Sequence, residues 1–123
     1  MTFEKIHDGG RMMMRLTYVI KYVGDMERAL KFYKDRLGFA LRFQSPGWSE
    51  FETGETTLAL HLASPEHPAG TAQPGFGVPD IDSFYVEQKD NGVVFTSAPT
   101  ELFGSRIARF KDSEGVECSV SGK

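Results

Sequence analysis

Apolar and polar positions change rhythm along this chain, and the change happens twice. Tyr18 to Val23, YVIKYV, is β-branched and aromatic, a composition that predicts a strand. Gly24-Asp25 ends it, and Asp25 is placed to cap a helix by accepting from free backbone N–H groups. Within that helix Met26, Ala29, Leu30 and Tyr33 fall at i, i+3, i+4 and i+7, which makes one apolar stripe. Gly38 suits the left-handed residue that closes a helix. Phe39 to Phe43 predicts the next strand, QSPGW a turn, and Trp48 to Glu52 and Thr56 to Leu62 two more strands joined through Gly54. The order is β-α-β-β-β.

The second half restates it. Gln73 to Val78 predicts a strand, Asp80 a helix cap, and Ile81, Phe84, Tyr85 and Gln88 the helical stripe, with Gly92 at its end. Val93 to Ser97 predicts a strand, APTELFG a loop, and Arg106 to Phe110 and Val116 to Ser121 the closing strands, joined through KDSEG. Val23 and Val78, Asp25 and Asp80, and Met26 and Ile81 are all offset by 55 residues. Between the copies ASPEHPAGTAQP is rich in Pro, Gly and Ala and predicts a linker. The expected organisation is a peripheral extension at 1–14, then one domain at 15–121 built from modules 15–62 and 73–121 with linker 63–72. Each unit is a sheet with a helix on one face, so two of them can line the walls of one trough. The fold class expected is α+β: tandem βαβββ modules forming a curved mixed-sheet trough with helices outside.

Composition narrows the function. The chain has 123 residues, 40% apolar, with ten Phe, four Tyr and one Trp, enough for a packed core. The formal net charge is -3 with dispersed basic residues, which gives no footprint for nucleic acid. No apolar run is long enough to span a bilayer, and MTFEKIHDGG lacks the apolar segment of a signal peptide. A cytoplasmic protein is expected, its start lying at Met1 or at Met12, Met13 or Met14. The single cysteine, Cys118, excludes an intrachain disulfide and a Cys-rich zinc site. It shares strand parity with Val120 and is expected to pack as a buried thiol. GFGVPD lacks the third Gly of a dinucleotide fingerprint, and there is no P-loop, G-x-S-x-G or HExxH.

The stretches YVGDMERALKFYKDRLGF, FETGETTLALHLA, GFGVPDID and FKDSEGVECSV occur in order within the repeat and span about residues 15 to 121. Together they resemble the vicinal oxygen chelate superfamily of glyoxalase I, bleomycin-resistance proteins and extradiol dioxygenases. The resemblance implies a metal site in many members, with a His on the first strand of a module and a Glu on the last. Carried over residue by residue, the usual ligand positions hold Tyr18, Ala59 (or His61 with a shift of two), Gln73 and Ser119. None of the four is an imidazole or carboxylate, so the resemblance brings the fold without the usual metal donors. No cofactor is expected.

Each remaining candidate carries two readings. Tyr18, Ile20 and Tyr22 alternate on one strand face and form either an aromatic wall for a ligand or a second core. Trp48 stacks on a ligand, covers the core or meets a dimer partner. His61 shares the face of Ala59 and is a ligand contact, a base or a strand-end residue. Glu50 is its candidate catalytic partner, although a surface charge is the better expectation. Gln73 and Ser119 are neutral groups suited to orienting a polar ligand. His67 beside Glu66 is expected to be solvated, and His7 lies in the extension. Phe103, Arg106 and Arg109 follow the second loop, where an Arg binds an anion or simply faces solvent. The leading reading is a metal-free binder of a small, partly aromatic molecule, contacted by Tyr18, Tyr22, Trp48, His61, Gln73 and Ser119. The alternative is a glyoxalase-like lyase or isomerase, metal-dependent or not, centred on His61. A third is a scaffold whose trough is packed shut. The resemblance also implies a homodimer, side by side or with modules swapped.

Overall fold

The computed structural model describes residues 13–102 and 104–123. The expectations for residues 1–12 and for Phe103 lie outside the described residues. The elements run β1 (Arg15–Val23), α1 (Met26–Leu30), a π-helical turn (Lys31–Arg36), β2 (Ala40–Phe43), β3 (Trp48–Glu52), β4 (Thr57–Leu62), β5 (Ala72–Gly77), α2 (Ile81–Asp90), β6 (Phe95–Leu102), β7 (Ser105–Lys111) and β8 (Glu117–Gly122). The class is α+β, with the βαβββ order present twice. Two compact units divide the chain, one at Thr17–Pro74 and one containing Gly75–Lys123.

In the first unit the strands lie side by side as β2-β3-β4-β1. β2 and β3, and β3 and β4, are antiparallel, whereas β1 and β4 are parallel. A parallel neighbour requires a crossover, which α1 and the two intervening strands supply. Asp25 caps α1, its Oδ1 accepting from the Arg28 N–H at 3.1 Å. The stripe then does what its spacing requires: Met26 and Leu30 pack with Phe51 and Leu60, and Ala29 and Tyr33 close the edge of that cluster. Strand alternation sends Ile20, Tyr22 and Ala59 to the opposite face, where they form a separate cluster with Tyr18 and Trp48.

The second unit has the order β5-β8-β7-β6, the same topology shifted by one repeat. Asp80 caps α2 through Ser83, its carboxylate accepting both the backbone N–H (3.1 Å) and the hydroxyl (2.9 Å). These bonds hold its pKa below the ordinary carboxylate value. Ile81 and Phe84 of α2 pack on Val78, Ala108 and Val120, flanked by Phe76, Phe95 and Phe110. Cys118 is buried as expected. Burial, then the charges of Asp112 and Glu117, raise its pKa and leave it an inert thiol.

Two elements depart from the expected pattern. α1 widens after Leu30 into the π turn, with the Leu37 N–H donating to the Phe32 carbonyl at 3.0 Å. The wider turn keeps Tyr33 over Phe51 (5.9 Å between centroids) while Gly38, at φ 78°, brings Phe39 back to 6.2 Å from the same ring. A simple i, i+3, i+4 stripe cannot report that extra residue. The second correction is APTELFG: its first five residues continue β6 as a strand. Thr100, Glu101 and Leu102 pair with Ile107, Arg106 and Ser105, and the register shifts on either side of Ser97. Pro99 follows that irregularity on an end strand of its sheet, where a missing N–H is tolerated.

Candidate functional site

One face of the first unit's sheet gathers most of the candidate residues. β1 contributes Tyr18, Ile20 and Tyr22, β4 Thr57, Ala59 and His61, and β3 Trp48 and Glu50, in register through Tyr22↔His61, Trp48↔His61 and Glu50↔Ala59. The rings touch in sequence. Tyr18 lies 6.1 Å from Trp48, Trp48 meets His61 edge-on at 5.9 Å, and His61 lies 5.2 Å from Tyr22. The turn before β3 fixes Trp48: the Ser45 hydroxyl accepts from its N–H at 3.0 Å and donates to its carbonyl at 2.6 Å.

Tyr22 ends this row as a buried residue, and its hydroxyl donates to Gln73 Oε1 at 3.1 Å. Its other side is covered by His67, stacked at 4.5 Å and 9°. The expectation of a solvated His67 is therefore corrected. The linker folds onto β1, with the Ala63 N–H donating to Val23 O (2.8 Å), the Gly70 N–H to Tyr22 O (2.9 Å) and the Tyr22 N–H to Thr71 O (2.9 Å). Those bonds carry His67 to the ring.

Glu50 is likewise not the plain surface charge expected of it. Its side chain is 19% exposed and both oxygens are engaged. Oε2 accepts from Trp48 Nε1 at 2.8 Å, and Oε1 accepts from Arg42 Nη2 at 3.0 Å and Nε at 3.2 Å. Arg42 also donates to Glu52 Oε2 (3.2 Å) and Thr57 Oγ1 (2.5 Å). Nothing in the sequence marks Arg42, because the register shift between Leu41 and Phe43 hides its partner. Burial pushes the Tyr18 phenol up, the nearby Glu50 charge adds to that, and Arg42 opposes it. Tyr18 therefore stays a protonated donor through neutral pH.

His61 is exposed at the strand end, and its Nδ1 lies 2.7 Å from Leu62 O. A carbonyl only accepts, so Nδ1 carries the proton and Nε2 of the neutral ring is left as an acceptor. Arg106 forms an ion pair with Asp82 at 2.6 Å, and Arg109 stands 3.9 Å from Glu117. Ser119 lies on β8, in register with Gly75 and Arg109 of the second unit.

The model of the Glyoxalase/Bleomycin resistance protein/Dioxygenase superfamily matches residues 15–120. The chain belongs to that superfamily. It is similar to the uncharacterized Bacillus subtilis (strain 168) proteins YurT, 31% identical over 83% of this chain and 94% of that one, and YetH, 27% identical over 85% and 94%. Among solved structures it resembles a hypothetical protein from Bacillus halodurans C-125, with a TM-score of 0.75 at 22% identity over 89% of this chain and 94% of that one. A methylmalonyl-CoA epimerase in complex with methylmalonyl-CoA has a TM-score of 0.70 at 21% identity over the same shares. At such identities the structural likeness shows the fold alone.

Many superfamily members hold a divalent ion, so the donor set here needs testing on its chemistry. Tyr18 is a phenol held in its protonated form. Ala59 is a buried methyl group. The Gln73 carbonyl oxygen accepts from Tyr22. Ser119 offers a neutral hydroxyl. Among the described residues no three His, Cys, Asp or Glu side chains are placed to share an ion. These residues do not fit a zinc, iron or manganese centre, which takes imidazole, thiolate or carboxylate ligands.

Proposed function

We propose that this protein binds a small, partly aromatic molecule against the Tyr18–Trp48–His61–Tyr22 face without a metal ion. The observation that carries the reading is the ring row itself, ordered by Ser45, Glu50 and Gln73. A planar ligand gains stacking on Trp48 and Tyr18. The Tyr18 hydroxyl donates to it, and His61 Nε2 accepts from it. Gln73 fixes the Tyr22 end of the row through a neutral hydrogen bond, and neutral groups orient a ligand without the desolvation cost of a charge.

The test is a calorimetric screen of planar aromatic compounds with chelator present, on the natural protein and on Trp48→Ala. Binding is expected in the natural protein and about tenfold weaker in the variant, the size of one lost aromatic anchor. A screen without a binder, or binders indifferent to Trp48→Ala, contradicts the reading.

A second reading rests on His61. Its tautomer presents Nε2 as a base, with Glu50 on the same face, and this suits a lyase or isomerase that moves a proton. Solvent deuterium exchange into acidic C–H substrates, abolished by His61→Ala, supports that reading, and exchange that survives the change removes it. We further propose a cytoplasmic homodimer, checked by sedimentation equilibrium. What the fold itself gives is narrower: no helix among the described residues is long and apolar enough to cross a membrane.

A further inference from the structure

A cleft of about 340 Å³ opens on the other side of β1, between α1 and the end of the linker. Its formation follows from the chain path. Gly24 ends β1 with Ala69 close by: a Cβ built on Gly24 would sit 3.6 Å from Ala69 Cβ. The Gly70 N–H bonds Tyr22 O, and Lys21 Nζ reaches Gly70 O at 2.7 Å. The linker thus makes one wall, and Arg28, Ala29, Phe32 and Tyr33 make the other.

Two independent features set this cleft apart. The first is charge. Lys21 and Arg28 line it with one carboxylate, Asp25, whose Oδ1 is engaged in capping α1. Among the described residues neither cation forms an ion pair, in contrast to Arg42, Arg106 and Arg109. The second is an apolar floor at an irregularity. Phe32 is 48% exposed with Tyr33 edge-on to it at 5.2 Å, and both lie in the first half of the π turn. Such turns are frequent at functional sites. An unburied ring beside two cations that form no ion pair among the described residues, Lys21 donating only to the Gly70 carbonyl, matches a ligand that has an aromatic body and one negative charge.

We propose that this cleft is a second binding site, for a small aromatic carboxylate. The ring lies on Phe32, Tyr33 and Ala29, and the carboxylate sits between Lys21 Nζ and the Arg28 guanidinium. Tyr22 also borders the cleft, but Lys21 and Tyr22 point to opposite sides of β1, and none of Tyr18, Trp48 and His61 of the aromatic sheet face lines it.

The test uses the full chain, labelled with ¹⁵N, and titrates naphthoate against its uncharged amide, naphthamide, at millimolar concentration. Naphthoate is expected to shift the amide signals of Lys21, Gly24, Arg28 and Gly70 saturably. Binding should be about tenfold weaker for naphthamide and for Arg28→Gln, the loss of one charge-assisted contact. Lys21→Gln is the second variant, expected to weaken naphthoate similarly, and both are exposed-side changes that leave the core intact. Equal binding of acid and amide, binding indifferent to both variants, or shifts confined to Trp48 and His61 overturns the proposal. In the last case the sheet-face reading stands while this one falls.

Discussion

Glu50 is a carboxylate whose value lies in what it holds. It fixes Trp48 through the indole N–H and Arg42 through two guanidinium nitrogens, and its charge helps keep Tyr18 protonated. Glu50→Gln is therefore expected to lower the Tyr18 pKa toward that of free tyrosine, measured by ultraviolet titration of tyrosinate against a Tyr18→Phe control. The raised Tyr18 pKa also sets a pH dependence. The folded state holds this proton more tightly than the unfolded chain, so its stabilisation is complete below the ordinary tyrosine value of 10.0 and is lost as pH rises through the higher folded value. Chemical denaturation across that alkaline range should show a steeper loss for the natural protein than for Tyr18→Phe, and parallel curves contradict the assignment. Strand parity grouped Tyr18 with Tyr22 and His61 with Ala59, and the superfamily resemblance put the two strands' faces on one side. Arg42 and His67 were not legible, because one depends on a register shift and the other on where a Pro-rich linker folds back.

The caps and stripes of α1 and α2 could be read directly, since Asp25, Asp80, Met26 and Ile81 act within a single helical turn. What local periodicity could not show was the extra residue per turn at Lys31–Arg36 or the continuation of β6 through Pro99, both of which depend on partners distant in sequence. One element contact is unusually close. A Cβ on Gly122 would lie 2.4 Å from the Val78 carbonyl oxygen and 3.3 Å from Ile81 Cβ, where β8 ends against the start of α2. Gly122→Ala forces backbone to move and is expected to destabilise by about 1–3 kcal/mol, as overpacking does. Denaturant unfolding checks it, and an unchanged midpoint contradicts the contact. Phe51 is fully buried between α1 and its sheet. Phe51→Ala should cost about 3–5 kcal/mol by the same measurement.

For the molecule as a whole, the repeat visible at an offset of 55 residues gave the βαβββ order and the superfamily, because each copy must build its own core. The ligand was not legible, since neutral and aromatic linings suit many chemistries. The central proposal is that this face binds a ligand without an ion, and Trp48, the one tryptophan in the chain, reports on it directly. The decisive measurement is Trp48 fluorescence during titration with a planar aromatic ligand, first with chelator and then with added zinc or manganese. Saturable quenching with the same dissociation constant in both conditions is expected. Quenching that vanishes with chelator and returns with the divalent ion contradicts it.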